Sequence, residues 1–242
     1  MLKDYLYISK THSTNVLLKE KLRQEKLFEF FAVRTAFQTA GKGQIGNSWE
    51  SEKGKNLLFS ILLYPHHIAI DKQFVISQIV SVAIIRILNE YCNGFEIKWP
   101  NDIYFGNKKI GGILIENSLR ASQIEYSIIG IGLNINQKVF KSNAPNPISL
   151  AQIIGKNASV KTIFSKIIYQ IKEFYQTSNY DPIKENYLKN LFRGTGIYRF
   201  KTPQSDDFEA SIYKIEDDGQ LILKTKNNAI HRFYFKEVEF VL

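Results

Sequence analysis

The sequence of 242 residues contains a single cysteine, Cys92, so no disulfide can form within the chain. A lone cysteine in an apolar pattern is expected to pack as a small hydrophobic side chain, and it fits a reducing compartment. The amino terminus lacks the basic-then-apolar order of a signal peptide, and no apolar run approaches the ~20 residues that cross a bilayer. These absences predict a soluble, cytoplasmic protein with no membrane span.

Dense clusters of positive charge are missing as well, although the net charge is +9. The basic residues are spread along the chain, so no nucleic-acid-binding run stands out. A phosphate-bearing substrate, an acidic protein partner or a plain solvated basic face would suit the same charge. The four histidines lack metal-ligand spacing and are expected at the surface. No Gly-x-Ser-x-Gly elbow supports a hydrolase.

The composition is that of a globular protein, with 44% hydrophobic and 23% charged residues. Apolar residues at helical spacing predict helices near residues 14–26, 72–92, 160–177 and 182–191. β-rich runs predict strands at 30–37, 57–64, 95–99, 102–105, 109–116 and 124–135. Only short strands follow, at 197–201, 208–216, 220–225, 229–235 and 237–241, with a hairpin turn at Asp218-Gly219. The pattern predicts an α+β domain over residues 1–192 and a small β-barrel over residues 193–242.

The segment from Lys98 to Asp102 places a cation, an amide and a carboxylate within five residues. Pro100 fixes its own φ and favours an extended conformation for the residue before it. Asn101 and Asp102 are therefore expected to emerge at a strand end with little freedom. The three polar groups suit a phosphate, a base edge and a Mg²⁺ ion, respectively. A proline turn with a solvated aspartate and a core tryptophan would explain the same residues.

Glycine pairs interrupt two apolar strands. The first strand runs from Lys109 to Glu116, and the second runs from Gly130 to Asn136. Interior glycines weaken a strand, so they suggest close approach by a ligand or by another backbone. Lys109, at the start of its strand, would neutralise an anionic substrate. A β-bulge beside a surface lysine or a loop is the structural alternative.

A polar stretch from Gln38 to Asn56 contains four glycines and is too long for a plain connector. Glycine-rich loops that contain a lysine cradle phosphates in other proteins. This stretch is neither a Walker A loop, since it lacks Gly-Lys-[Ser/Thr], nor a dinucleotide fingerprint, since no predicted helix follows its Gly-x-Gly-x-x-Gly spacing. Its length and Trp49 predict a mobile flap that closes over a ligand.

The order of these segments is more specific than any one of them. In chain order they are Ser13-Thr-Asn15, Gln38-Thr-Ala-Gly41-Lys42-Gly43-Gln44 with Gly46 and Trp49, Gly54-x-Asn56-Leu57 with Ser60, Lys98-Trp-Pro-Asn-Asp102, Lys109-x-x-Gly112-Ile-Leu-x-Glu116, and Gly130-Ile-Gly-Leu-Asn134. Over roughly residues 9–136 this order resembles the biotin protein ligase family. The resemblance implies a mixed-sheet catalytic domain of the biotin/lipoate ligase type over residues 1–192. It also implies an SH3-like β-barrel over residues 193–242.

The resemblance implies an ATP-dependent ligase that works in two steps. The carboxylate of biotin attacks the α-phosphate of ATP, assisted by Mg²⁺, and gives biotinyl-5′-AMP and pyrophosphate. A specific lysine of a biotin carboxyl carrier protein then attacks the mixed anhydride and releases AMP. The expected partner is therefore the carrier domain of a biotin-dependent carboxylase, and the expected state is a monomer or a homodimer.

The resemblance also assigns roles to individual residues. The catalytic residues would be Lys42, Asp102 and Lys109, and Asp102 would place Mg²⁺ or the incoming lysine. The biotin-binding residues would be Ser13, Thr14, Asn15, Gln38, Gly41, Lys42, Gly43, Gln44, Lys109, Gly112 and Gly130. The nucleotide-binding residues would be Trp49, Lys98, Asn101, Asn134 and, from the barrel, Lys236. Within these sets Gly112 and Gly130 would give clearance for the ligand, and Trp49 would exclude water from the adenylate.

Two features depart from many relatives. Many read Gly-Arg-Gly-Arg in the flap, whereas here Lys42 keeps the charge without the bidentate fork and Gln44 loses the charge. The first motif also begins close to the amino terminus, which is expected to leave no room for the helix-turn-helix of relatives that act as repressors. Specific DNA binding is therefore not expected, and the basic charge is interpreted as steering an acidic carrier domain.

Two other functions remain open on the sequence alone. A lipoate ligase or octanoyltransferase shares the catalytic fold and the Lys-x-x-Gly motif, although the Lys98–Asp102 segment and the tryptophan of the flap favour biotin. A non-catalytic nucleic-acid-binding protein would use the basic charge and the barrel. The tail, however, shows no aromatic platform interleaved with lysine and arginine.

Overall fold

The computed structural model describes residues 5–44, 46–141, 146–203 and 205–241, and it confirms the predicted α+β fold. A seven-stranded mixed sheet is built from β1 (Tyr5–Ile8), β2 (Ala32–Thr35), β3 (Leu57–Leu63), β4 (Phe95–Lys98), β5 (Asp102–Phe105), β6 (Lys108–Arg120) and β7 (Gln123–Leu133). The strand order is β1-β2-β3-β7-β6-β5-β4, and β1 and β2 are parallel while the other neighbours are antiparallel. The helices are α1 (Thr14–Gln24), α2 (Phe74–Leu88), α3 (Leu150–Ile154), α4 (Val160–Tyr175) and α5 (Asp181–Lys189).

Alternation of side chains gives the central strands two different faces. One face presents Phe59 and Ile131 to the main core, which α2 and α4 complete. The opposite face carries a smaller cluster, in which Leu18 of α1 packs with Leu62 and Ile128. Glycines take the next positions along this second face of β7. The helix therefore covers half of the face and leaves the glycine-lined half open.

The carboxyl-terminal part is an antiparallel sheet of β8 (Tyr198–Thr202), β9 (Ser205–Ile215), β10 (Leu221–Thr225), β11 (Ile230–Phe233) and β12 (Glu239–Phe240), in the order β11-β10-β9-β8-β12. Its two outermost strands do not pair within the described residues, so the predicted SH3-like barrel is an open sheet here. The predicted turn at Asp218-Gly219 is confirmed, with a φ of +95° at Gly219. This turn contacts the larger sheet, because Trp99 Nε1 donates a hydrogen bond to Gly219 O at 2.9 Å.

Several element ends differ from the sequence prediction. The sequence predicted neither β1 nor α3. The predicted strand 30–37 is confined to 32–35 because Phe30 has a φ of +67°. The predicted helix 72–92 spans Phe74–Leu88, and a 3₁₀ turn over Ile70–Lys72 precedes it. The β5–β6 turn is shorter than predicted, since Lys108 already pairs with Phe105.

Cys92 is partly buried and packs against the main core, although it lies just beyond α2. In the part of the chain that the structure describes, no helix has the length and apolar character that a membrane span requires.

Candidate active site

A cleft of about 950 Å³ opens on the half of the sheet that α1 leaves uncovered. Its floor is formed by glycines, because Gly112 of β6 pairs with Gly132 of β7 and Gly130 lies two positions earlier on the same face. Its walls come from the start of α1, the flap (residues 38–56), the β4–β5 connection and the carboxyl-terminal sheet. The predicted residues that line it are Ser13, Thr14, Asn15, Gln38, Lys42, Gly43, Gln44, Trp49, Lys98, Asn101, Asp102, Lys109, Gly112, Gly130, Asn134 and Lys236.

One end of the cleft is a network of neutral polar side chains and one carboxylate. Gln38 Oε1 accepts hydrogen bonds from Thr14 N at 2.7 Å and Thr14 Oγ1 at 3.2 Å. Ser60 Oγ lies 2.7 Å from Thr14 Oγ1 and 2.5 Å from Asn15 Oδ1. Asn15 Nδ2 donates to Glu116 Oε2 at 2.7 Å. Donors and acceptors are thus both held in fixed places, as recognition of an amide-like or urea-like group requires.

Gly130 leaves room for a side chain of this network, which the sequence did not indicate. A Cβ at Gly130 would lie 2.3 Å from Asn15 Oδ1. The side chain of Asn15 therefore takes up the space directly in front of the Gly130 Cα, while Gly130 still lines the cleft. Ser60 and Glu116, neither of them predicted as site residues, hold this side chain from two other directions. Ser60 stands out as a polar residue inside the otherwise apolar strand β3. Glu116 begins the polar run Glu116-Asn-Ser118 of β6, so only its place in the family motif marks it.

The charged centre of the cleft is an ion pair, in which Lys109 Nζ lies 2.7 Å from Asp102 Oδ1. The register of β5 and β6 brings the two together, because Asp102 pairs with Gly112, Tyr104 pairs with Lys109, and the register shifts between these two pairs. The main chain of Lys109 is fixed on both sides, since its N–H donates to Asn146 O and its carbonyl accepts from Ile148 N. Only 30% of the Lys109 side chain and 22% of the Asp102 side chain are exposed, so water screens the pair weakly.

The flap folds over the glycine floor. Lys42 and Ser48 form a short antiparallel bridge, and Trp49 N donates to Gly41 O at 2.9 Å. Gly41 is the predicted residue that does not line the cleft; a Cβ there would lie 2.5 Å from Trp49 O. The indole of Trp49 lies against Gly132, where a Cβ would come within 2.6 Å of the ring. Trp49 Nε1 is buried without a hydrogen-bond partner in the described residues, a costly state that a ligand acceptor would relieve.

Lys98 lies where the two sheets meet. Its Nζ is 3.2 Å from Tyr104 Oη and 5.5 Å from the centroid of the Phe240 ring. Burial lowers the pKa of Lys98, and repulsion from Lys109 adds to this effect, against the opposing attraction of Asp102. No carboxylate in the described ranges lies within ion-pair distance of Lys98 Nζ. A bound anion such as a phosphate would therefore stabilise the charged form of this lysine.

The remaining predicted nucleotide-binding residues occupy defined positions around the cleft. Asn101 Nδ2 donates to Ile113 O at 2.6 Å, which ties the β4–β5 connection to the floor strand β6. Asn134 is buried at the end of β7, and its N–H donates to Ile110 O at 2.8 Å. Lys236 borders the cleft from the carboxyl-terminal sheet, with a φ of +72°. The structure thus brings these residues together around one cleft.

The sequence of this cleft also matches a known protein family. The sequence model of the biotin/lipoate A/B protein ligase family matches residues 7–134. This match covers more than half of the chain and includes the network, the ion pair and the glycine floor. The chain belongs to the biotin/lipoate A/B protein ligase family.

Individual relatives are named as ligases, and some of them as biotin–protein ligases. The bifunctional ligase/repressor BirA of Bacillus subtilis is 30% identical over 214 residues, which covers 84% of this chain and 63% of that protein. The human biotin–protein ligase is 32% identical over 136 residues, which covers 54% of this chain and 19% of that protein. The chain thus spans less than two thirds of the length of these relatives.

Solved structures share the fold over nearly the whole chain. The biotin protein ligase from Aquifex aeolicus in complex with biotin and ATP has a TM-score of 0.80 at 22% identity, and the match covers 99% of this chain and 100% of that one. The biotin protein ligase from Leishmania major in complex with biotinyl-5-AMP has a TM-score of 0.69 at 22% identity, with 97% and 100% covered. The likeness confirms the fold, including the small carboxyl-terminal sheet.

A resident metal centre is not formed by the described residues, among which no three histidine, cysteine, aspartate or glutamate side chains group to hold an ion. Asp102 is the carboxylate at the centre of the cleft, and it is paired with Lys109. Mg²⁺ commonly takes one or two protein carboxylates and fills its other positions with phosphate and water oxygens. The donor set therefore fits an ion that arrives with a nucleotide. The four histidines are exposed, as predicted: His12, His66, His67 and His231.

Proposed function

We propose that this family member is a biotin protein ligase, which activates biotin as biotinyl-5′-AMP and transfers it to a lysine of a biotin carboxyl carrier domain. The observation that carries the proposal is that one cleft brings together the Lys109–Asp102 ion pair, the polar network around Asn15 and the buried cation of Lys98. Relatives of 30% identity or more are named as ligases, and solved structures of the same fold hold biotin with ATP or hold biotinyl-5-AMP.

In the first step, two anionic groups must approach each other. The network around Asn15 would hold the ureido end of biotin, so that its carboxylate lies at Lys109 Nζ. Lys109 then stands between this carboxylate and the α-phosphate of ATP, and it offsets the charge that opposes attack. A carboxylate oxygen forms the bond to the α-phosphorus, and the bond to the bridging oxygen of pyrophosphate breaks. A Mg²⁺ ion on Asp102 and the phosphates would neutralise further negative charge.

In the second step, the neutral amine of the acceptor lysine attacks the carbonyl carbon of the mixed anhydride and AMP leaves. The attack forms an amide and requires that the acceptor ammonium first lose a proton. Asp102 would hold that ammonium beside the anhydride; in support, its carboxylate reaches the cleft next to Lys109. Trp49 covers the glycine floor and would keep water from the anhydride until the carrier arrives.

Biotin-dependent exchange of labelled pyrophosphate into ATP tests the proposal. With Mg²⁺ present, exchange is expected with biotin and not with lipoate or octanoate. Exchange that requires lipoate instead would assign the chain to the other branch of its family. Salt-sensitive DNA binding without any exchange would favour a nucleic-acid-binding protein.

Loss of the flap cation is expected to weaken retention of the adenylate. Replacing Lys42 by alanine should raise the release of biotinyl-5′-AMP up to about five-fold, the size of effect that a single exposed ion pair provides. Replacing Gln44 by alanine should have a smaller effect, because Gln44 carries no charge to lose. Free and bound adenylate are separated by rapid filtration after a single turnover. Equal leakage from the two variants would contradict the prediction.

Transfer to the carrier domain is expected to slow as salt is added. The net charge of +9 would steer an acidic carrier, and steering is screened over about 8–10 Å at physiological ionic strength. The kcat/KM for the carrier should fall about ten-fold between low salt and about 0.5 M NaCl. Pyrophosphate exchange, which needs no carrier, provides the control and should change much less. Transfer that does not respond to salt would rule out steering by charge.

A further inference from the structure

Gln137, which follows β7, is a buried amide outside the predicted site. Its Oε1 accepts hydrogen bonds from Glu52 N at 2.9 Å and from Asn56 Nδ2 at 2.6 Å. Its Nε2 donates to Glu50 Oε1 at 3.1 Å and to Val139 O at 2.9 Å. These four bonds use both protons and both lone pairs of the amide. Because every donor and acceptor of this amide is paired, the side chain fixes the relative positions of its four partners.

The partners of Gln137 belong to different parts of the cleft. Glu50 and Glu52 stand in the flap, directly after Trp49. Asn56 precedes β3, and its Oδ1 accepts a hydrogen bond from Ile135 N at 3.2 Å. Gln137 itself continues from β7, which supplies the glycine floor. One buried side chain therefore joins the flap to the floor that the flap covers.

Glu50 extends this connection beyond Gln137. Its carboxylate oxygens lie 2.9 and 3.1 Å from Lys141 N, which donates to them. The segment after β7 therefore holds the arm of the flap that leaves Trp49. Because Trp49 and Glu50 are neighbours in the chain, a shift of this arm would move the indole away from Gly132. The position of the lid over the cleft thus depends on the Gln137–Glu50 contact.

We propose that Gln137 is a positioning residue that sets how tightly the Trp49 flap closes over the activated intermediate. It thereby controls the share of adenylate that reaches the acceptor lysine rather than escaping into water. The inference rests on the proposed ligase function and deepens it. Gln137 does not touch the reacting atoms, and it acts through the arm of the flap that Glu50 and Glu52 form.

The test is Gln137→Glu, which keeps the shape of the side chain and its acceptors for Glu52 and Asn56. It replaces the amide nitrogen that donates to Glu50 and to Val139 O by an oxygen that faces both acceptors, and its charge repels the Glu50 carboxylate. Released biotinyl-5′-AMP, relative to biotinylated carrier, is expected to rise about ten-fold, the effect of losing about 1.4 kcal/mol. Backbone amides of residues 47–52 should also exchange hydrogen faster. Adenylate formation should fall less than adenylate retention.

Three further variants separate positioning from a general loss of stability. Glu50→Gln combined with Gln137→Glu restores an N–H donor between the two side chains and should recover part of the retention. Gln170→Glu places a new carboxyl at another buried glutamine, on α4 away from the flap, and should leave the leakage ratio unchanged. Glu50→Ala removes the acceptor that Gln137 bonds in the flap. Because Glu50 is only half-buried, this variant is expected to fold even if Gln137→Glu does not, and it then provides the test.

The outcomes distinguish this inference from the proposed function. If the unmutated protein forms adenylate and both Gln137→Glu and Glu50→Ala retain it as well as the unmutated protein, the inference is overturned. If the unmutated protein forms no adenylate, the proposed function fails. In that case hydrogen exchange in the backbone of residues 47–52 still tests whether Gln137 anchors the flap. Exchange that is unchanged in the variants would overturn this anchoring role.

Discussion

Replacement of Lys109 by alanine is expected to lower biotin-dependent ATP–pyrophosphate exchange by about two to three orders of magnitude, the typical effect of removing one donor that stabilises charge in a transition state. The ammonium group is half-buried and held 2.7 Å from Asp102 Oδ1. Without it, the substrate carboxylate would approach the α-phosphate and the Asp102 carboxylate without the ammonium that stands between them. Repulsion among three anionic groups is strong where water is largely excluded.

Lys108→Ala provides the matched control for this variant. Lys108 is the neighbouring residue on β6, it is exposed, and its loss changes the net charge by the same amount. Exchange by Lys108→Ala should stay within about two-fold of the unmutated protein, as expected for an exposed side chain. If exchange falls equally little in both variants, Lys109 does not take part in the first step.

Sequence patterns predicted the parts of the fold that depend on burial alone. The apolar run of β3 and the helical spacing of α2 stand out because all of β3 and almost all of α2 are buried. The cleft could be predicted for a different reason, because the order of the motifs resembles a known family. Interior glycines such as Gly112 indicated a close approach, and the structure supplies its geometry through the register of β6 and β7.

What could not be predicted depends on contacts between residues far apart in the chain. Asn15 Nδ2 and Glu116 Oε2 are joined across 101 positions of sequence. Gln137 reaches the flap across 85 and 87 positions, and an amide in a loop has no periodicity to mark it. The short strand β1 has a β-rich sequence of only four residues, and its place in the sheet depends on its parallel pairing with the distant β2. The short helix α3 did carry a signal, namely the capping box formed by Ser149 and Gln152.

Gly130→Ala is expected to raise the KM for biotin by about two orders of magnitude. The new Cβ would lie 2.3 Å from Asn15 Oδ1, so Asn15 must leave its place against Ser60 and Glu116. Each buried polar group left without its partner costs about 1–3 kcal/mol, and two of them correspond to the expected change. The maximal exchange rate should fall much less, because the pair formed by Lys109 and Asp102 stays intact. Initial rates over a range of biotin concentrations separate the two effects.

A double-mutant cycle shows whether Gly130→Ala weakens biotin binding by displacing Asn15. Asn15→Ala removes the side chain that the new methyl group would displace, and it should weaken biotin binding by itself. Adding Gly130→Ala to this variant should then cost little more, because the Cβ enters space that the amide has vacated. Strongly non-additive effects are expected for residues in direct contact. Additive losses would instead mean that Gly130 gives clearance to the ligand itself, as the sequence alone suggested, and that Asn15 contributes separately.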